Sequence, residues 1–153
     1  MRIATYNLWN STTNWAQRLA AIAEELTFLD ADIVALQEAP IQARDRQSLV
    51  DFFREETEYP HVIQLEEPEA PDEGERPEGL AFISKLPFEA VRTNWEKVAT
   101  NNNWAMKIAV DWKGRSLGVT NVHLDYRQAS SREQHIVRIV RELIDSHSCD
   151  YER

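Results

Sequence analysis

The sequence predicts an α/β fold, and three observations carry that expectation. A β-prone opening run, an amphipathic helical stretch and a buried apolar run follow one another from the first residue. Short strand-like segments then continue to about residue 124, two of them separated by a tight-turn signal. The last stretch returns to helical spacing.

Residues 2–7 form the opening strand and a polar cluster, Ser11–Asn14, follows it. From Trp15 the apolar residues Leu19, Ile22, Ala23, Leu26 and Leu29 recur at intervals of three and four, which marks one helix face capped near Ser11 to Asn14. Asp32-Ile-Val-Ala-Leu-Gln-Glu38 is a short apolar run with polar ends, the pattern of a strand buried on both faces. A second helix is expected over residues 45–56, with Leu49, Val50, Phe52 and Phe53 inward, and a short strand over 60–65.

Residues 66–78 bring a sharp change, Glu-Glu-Pro-Glu-Ala-Pro-Asp-Glu-Gly-Glu-Arg-Pro-Glu, where proline and like charge both oppose packing, so an acidic mobile loop is expected. Strands resume over 80–84, 89–95, 105–111 and 115–124. Between the last two, Trp112-Lys-Gly-Arg115 reads as a hairpin turn whose Gly114 takes positive φ. Asn101-Asn-Asn-Trp104 reads as a polar loop with one anchoring tryptophan. Ser131-Arg-Glu-Gln134 has the form of a capping box, ahead of an inner stripe of Ile136, Val137, Ile139, Val140, Leu143 and Ile144.

Bulk properties narrow the functional classes. A chain of 153 residues with 42% hydrophobic and 28% charged residues is about one globular domain. It contains no apolar run of the roughly 20 residues that cross a bilayer, and one cysteine, Cys149, so a cytoplasmic setting is expected. The formal net charge of −9 argues against tight nonspecific binding to duplex nucleic acid, which favours a basic face. It leaves phosphate substrates open, because a divalent cation can supply positive charge locally and takes carboxylates as ligands. Glycine-rich phosphate loops, nucleophile elbows and zinc-binding Cys/His spacings do not occur.

The candidate site follows from strand ends, where functional groups of α/β sheets collect. Asn7 ends the first strand and Glu38 the second, and an amide with a carboxylate suits Mg²⁺. In the strand near 115–124, alternation puts Leu117, Val119, Asn121, His123 and Asp125 on one face. That face passes from apolar to polar, as the rim of a site would, while Val122 and Leu124 serve a core on the other. Glu78 precedes a strand, and Arg132 in the last helix can steer a phosphate or pair with Glu133 or Asp125. His61, His135 and His147 read as surface or helix-face residues.

Four segments occur in a telling order: Arg2-Ile-Ala-Thr-Tyr-Asn-Leu-Trp9, Asp30-Ala-Asp-Ile-Val-Ala-Leu-Gln-Glu38, Glu78-Gly-Leu-Ala-Phe-Ile-Ser-Lys-Leu-Pro87 and Val119-Thr-Asn-Val-His-Leu-Asp125. Together they resemble the endonuclease/exonuclease/phosphatase superfamily of deoxyribonuclease-like, metal-dependent phosphoesterases. The resemblance implies that Glu38 is a metal ligand and that Asn7 helps set metal and phosphate. It implies that His123 contacts the phosphate or assists the leaving group, with Glu78 orienting that histidine and raising its pKa. Asn121, Asp125 and Arg132 are candidates for phosphate binding, and the cofactor would be Mg²⁺ or Mn²⁺. The substrate would be a phosphate ester, with nucleic acid, phospholipid and sugar phosphate all open.

The sequence departs from the family pattern in lacking the later Gly-Asp-x-Asn and Ser-Asp-His motifs. The expectation is therefore a truncated domain over residues 1–153, the N-terminal half of the family's four-layer α-β-β-α sandwich. It would hold one mixed, mostly antiparallel sheet with helices on its outer face. Its inner face, lined by Phe82, Ile108 and Leu117, would then lack a partner, which points to a homodimer or a complementary chain. Two readings follow: a poorly active phosphoesterase fragment, or a non-catalytic half-domain that self-associates or pairs with another chain.

Overall fold

The computed structural model describes residues 1–40, 48–65, 78–98 and 101–141. Its elements run β1 (Ile3–Asn7), α1 (Trp15–Leu29), β2 (Ile33–Pro40), α2 (Leu49–Glu56), β3 (His61–Gln64), β4 (Glu78–Ser84), β5 (Phe88–Val98), β6 (Asn101–Trp112), β7 (Arg115–His123) and α3 (Ala129–Ile139). The strands form two sheets, one ordered β1-β2-β4-β3 and the other β5-β6-β7. β1 and β2 are parallel, joined through α1, and every other pairing is antiparallel. The α/β class and the mixed sheet are as the sequence predicts.

Alternation along β2 separates two cores. Val34 and Leu36 face the helices with Trp15, Leu19, Ile22 and Leu26 of α1 and Leu49 and Phe53 of α2. Ile33 and Ala35 face the second sheet and pack with Leu80 and Phe82 of β4 and Met106, Ile108 and Val110 of β6. Truncating Phe82, fully buried there, to alanine would cost about 3–5 kcal/mol.

This second core corrects the expectation of one sheet with a bare inner face. Phe82 and Ile108 are fully buried and Leu117 is half-buried in the same cluster, so the apolar face finds its cover within the chain. The reason lies at Ser84, where periodicity carries no information on which strands share a sheet. The Ser84 hydroxyl donates to the Leu86 carbonyl at 2.7 Å and accepts from its amide at 3.0 Å. Pro87, with no amide hydrogen to offer a ladder, completes the break. The chain leaves the first sheet there and starts the second.

Several local expectations shift. Asn14 precedes α1 in a left-handed conformation without a side-chain cap bond, and Leu29 is exposed. The described part of the second helix begins at Leu49, behind a Ser48 cap whose hydroxyl accepts from the Asp51 amide. Asn101–Trp104 belongs to β6 and is not a loop. Lys113 and Gly114 both take positive φ in the two-residue turn before β7, as a tight hairpin requires.

Helix α3 starts at Ala129, two residues ahead of the capping box read at Ser131. Gln128 is the N-cap and makes no side-chain cap bond, while Asp125 braces the turn before the helix, its carboxylate accepting from the amides of Arg127 and Gln128 at 2.7 and 3.4 Å. The stripe expected inside faces out: Ile136, Val137 and Val140 are exposed, and α3 has no buried residue within its described length. The acidic segment 66–77, residues 45–47 of the second helix, Leu143, Ile144 and His147 lie outside the described residues.

Candidate functional site

Asn7 is the last residue of β1, Glu38 lies near the end of β2, Glu78 opens β4 and His123 closes β7. β4 runs antiparallel to β2 and pairs Glu78 with Pro40, so all four positions fall at one end of the two facing sheets.

Glu38 reaches that group through a backbone device. Leu36 pairs with Ala81 and Ala39 with Gly79, so Gln37 and Glu38 stand opposite Leu80 alone, a β-bulge. Glu38 sits in the bulge at φ 51°, a left-handed conformation unfavourable for any residue with a Cβ. Unbroken alternation would send Glu38 to the helix side with Leu36. The bulge turns it instead toward Asn7 and β7. The Asn7 amide nitrogen donates to Glu38 Oε1 at 2.7 Å, and the Asn10 backbone amide donates to Oε2 at 3.3 Å. His123 Nε2 lies 3.8 Å from Oε1.

A buried polar network holds this end of the sheets together. Asn121, 2% exposed, donates from Nδ2 to the Leu36 and Ala81 carbonyls at 2.8 and 3.1 Å. Its Oδ1 accepts from Gln37 Nε2 at 2.6 Å, and Gln37 also bonds the Thr5 hydroxyl. One side chain of the second sheet thereby links β2 and β4 of the first. A phosphate-binding role for Asn121, expected from the polar face of its strand, does not fit these commitments. Leu117, Val119 and Asn121 look toward the first sheet as expected, but Val122 and Leu124 opposite are only half-buried and join neither core, so the second core expected on that face is not found among the described residues.

Asp125 is likewise buried, and its carboxyl is held below the usual carboxylate range, chiefly by the Arg127 amide and then by the Gln128 amide and the Ser131 hydroxyl. Its carboxylate thus braces the turn that leads into α3. Arg132 is half-buried and donates from Nη1 to the Asp125 carbonyl at 3.0 Å. Glu78 shares its alternation with Leu80 and Phe82 and so faces the second sheet. His61 and His135 are both half-buried, and His61 pairs with Ser84 at the end of β4 away from Glu78.

Burial pulls the His123 pKa below its usual value, and the Glu38 carboxylate only partly opposes this. The net direction is the reverse of the rise that a carboxylate partner alone would give. A neutral imidazole at neutral pH, with one donor and one acceptor nitrogen, is the result.

Sequence reasoning missed three contributors: Gln37, Thr5 and the segment after Asn7. Trp9 donates its amide to Asn7 Oδ1 at 2.8 Å while at φ 50°, and Arg18 reaches from α1 to the Leu8 and Trp9 carbonyls at 2.5 and 3.1 Å. An arginine one turn into a helix, after a polar loop leaving a site strand, was the available signal.

Among the described residues no cluster of three or more His, Cys, Asp or Glu side chains could hold a metal ion. The Glu38 carboxylate is the oxygen donor at these strand ends, while Asn7 turns its Nδ2 to that carboxylate and its Oδ1 to the Trp9 amide. One carboxylate suits Mg²⁺, which keeps several waters and uses one or two carboxylates plus substrate oxygens.

The model of the endonuclease/exonuclease/phosphatase family matches residues 4–149. Solved structures of similar fold include an endonuclease/exonuclease/phosphatase family protein from Leptotrichia buccalis, 14% identical with a TM-score of 0.68 over 94% of this chain and 62% of that one. The human Nocturnin catalytic domain with bound sulfate is 19% identical, TM-score 0.60, over 92% and 59%. D. rerio TDP2 complexed with a single-strand DNA product is 15% identical, TM-score 0.62, over 94% and 55%. The chain therefore spans about three-fifths of the length of the solved structures it resembles. No curated protein matches it.

Proposed function

The chain belongs to the endonuclease/exonuclease/phosphatase family, and from that premise we propose that it carries the metal- and phosphate-binding part of a Mg²⁺- or Mn²⁺-dependent phosphoesterase. Family membership supports a phosphoesterase- or nuclease-type activity. The single observation that carries the proposal is Glu38, held in a left-handed bulge so that its carboxylate meets Asn7 and approaches His123. Strained backbone at a buried sheet end is a common mark of function.

In this reading Glu38 holds the cation, Asn7 contributes its side-chain oxygen by turning it from the Trp9 amide, and water completes the shell. The bound ion would polarise a phosphoryl oxygen and stabilise the leaving oxygen. The Asn7 amide nitrogen, already on Glu38 Oε1, fixes the carboxylate's direction. His123, neutral through burial, donates from its one N–H to a phosphate oxygen and keeps its other nitrogen as an acceptor. Glu78, at the same strand ends, orients that imidazole, and Arg132 attracts the phosphate from the rim. No helix among the described residues is long and apolar enough to cross a membrane. With one cysteine in the sequence, a cytoplasmic setting is the proposal.

Activity of this chain by itself should be weak, because the sequence contains neither Gly-Asp-x-Asn nor Ser-Asp-His. The second reading, a non-catalytic half-domain that self-associates or pairs with a complementary chain, is favoured by the exposed Ile136, Val137 and Val140 of α3 and by the exposed Ile3 and Tyr6 of the edge strand β1. Hydrolysis of bis-p-nitrophenyl phosphate with added Mg²⁺ or Mn²⁺ separates the two. The phosphoesterase reading expects slow, metal-dependent turnover that Glu38→Ala abolishes. Turnover equal in both proteins, or none under any metal, favours the half-domain.

A further inference from the structure

Two exposed aromatic rings stand on the loops that leave the site strands, each backed by an arginine. Trp9 follows Asn7 by two residues and Tyr126 follows His123 by three. An extended chain spans at most about 3.6 Å per residue, so the Trp9 backbone lies within about 7 Å of Asn7 and the Tyr126 backbone within about 11 Å of His123. The Arg18 guanidinium lies 4.7 Å from the centre of the Trp9 ring and the Arg127 guanidinium 5.1 Å from that of Tyr126.

Exposure does not by itself single these rings out, since Phe28 at the opposite end of α1 is more exposed than either. Their fixation does. Trp9 is held at φ 50°, its amide bound to Asn7 Oδ1 and its carbonyl to Arg18 Nη2. Arg18 also bonds the Leu8 and Ser11 carbonyls and lies 5.7 Å from the buried Trp15 ring, so it cannot swing away without loosening the loop. On the second loop, Arg127 Nε donates to the Tyr126 hydroxyl at 2.9 Å, and its own amide is bound to Asp125. Trp9 remains 60% exposed and Tyr126 79% exposed, so each ring keeps open surface beside the strand ends.

We propose that Trp9, assisted by Tyr126, is a specificity-determining platform that selects phosphate esters whose alcohol carries a flat ring, as a nucleoside does, over ring-less esters. This rests on the phosphoesterase reading of the same site and names its substrate class. An aromatic ring held in place before the ligand arrives loses little freedom on stacking, which is where an ordered platform gains over a loose one. The guanidiniums behind the rings also set positive charge at the rim of a chain whose net charge is −9, where a phosphate ester would otherwise be repelled.

The test is calorimetric binding of adenosine 5′-monophosphate and ribose 5-phosphate, with Mg²⁺, to the chain and to its Trp9→Ala, Trp9→Phe, Tyr126→Ala and Glu38→Ala variants. The platform predicts that the base tightens binding about tenfold, as stacking on an aromatic side chain does. Trp9→Ala should remove most of that preference by weakening adenosine 5′-monophosphate more than ribose 5-phosphate, Trp9→Phe should retain it, and Tyr126→Ala should reduce it. Glu38→Ala should weaken both esters together. Equal affinity for the two esters, still dependent on Glu38, overturns the platform and leaves the phosphoesterase reading intact. Binding of neither ester overturns both.

Discussion

Glu38 offers a perturbation whose sign, not just its size, is informative. Replacing it with alanine keeps a Cβ in the left-handed region, whereas glycine occupies that region freely. The strain relieved is roughly 1–2 kcal/mol for a residue with a Cβ. Against it stands the extra unfolded-state entropy of glycine, about 0.5–1 kcal/mol relative to alanine. Both variants lose the same hydrogen bonds from Asn7 and Asn10, so these cancel in the comparison. Glu38→Gly should therefore be more stable than Glu38→Ala, by up to about 1.5 kcal/mol. At Thr120, in regular β7 and not at positive φ, the same pair should order the other way, alanine above glycine by a similar amount. Urea unfolding of the four proteins, compared at constant m, measures this. Glu38→Gly at or below Glu38→Ala would refute the strained-bulge account of how the carboxylate is aimed.

Other consequences are checked more briefly. Asn121→Ala would remove the side-chain donor of the buried Leu36 and Ala81 carbonyls and one acceptor of the Gln37 amide, and should cost at least about 2 kcal/mol in urea unfolding; a loss under about 1 kcal/mol would contradict its role in joining the sheets. Val137→Glu on the exposed face of α3 should change the stability of this chain by no more than about 0.5 kcal/mol, and a larger loss would show that α3 packs inward. Lys85, 2.5 Å from Asp30, holds that carboxyl below its usual pKa. A depressed folded-state value gives stability that is present above the unfolded value, about 3.9, and is lost as pH falls through the folded one. Lys85→Met should accordingly flatten the acid-side decline of the urea midpoint and leave its shape near neutrality alone; an unchanged acid slope would contradict it.

How much of this was legible in the sequence depends on the kind of information each feature needs. The strand–helix–strand opening and the Lys113-Gly114 turn are local, set by apolar spacing and by residues that tolerate positive φ, and they appear where expected. So does the inward face of β7, because alternation survives in a regular strand. The second sheet was missed because Ser84 and Pro87 redirect the chain by a hydrogen-bonded turn that has no period. The α3 stripe was misjudged for the opposite reason: its spacing is helical, but spacing records what a helix can bury, not what is there to receive it. Within the site, Asn7, Glu38 and His123 were found as strand-end polar residues, and the fold brings them together. Asn121 shared their pattern, and only its three buried hydrogen bonds separate a link between sheets from a ligand. The left-handed Glu38 had no sequence signal, since glutamate has no preference for that conformation.

The central claim is that Glu38 and Asn7 form a cation site in this chain, and binding tests it without relying on turnover. Electron paramagnetic resonance of Mn²⁺ titrated into the chain and into Glu38→Ala counts free ion directly. The account predicts a tightest class of bound Mn²⁺ that disappears in Glu38→Ala and weakens in Asn7→Ala, while weaker binding to other carboxylates persists in all three. Identical titrations for the three proteins would contradict it.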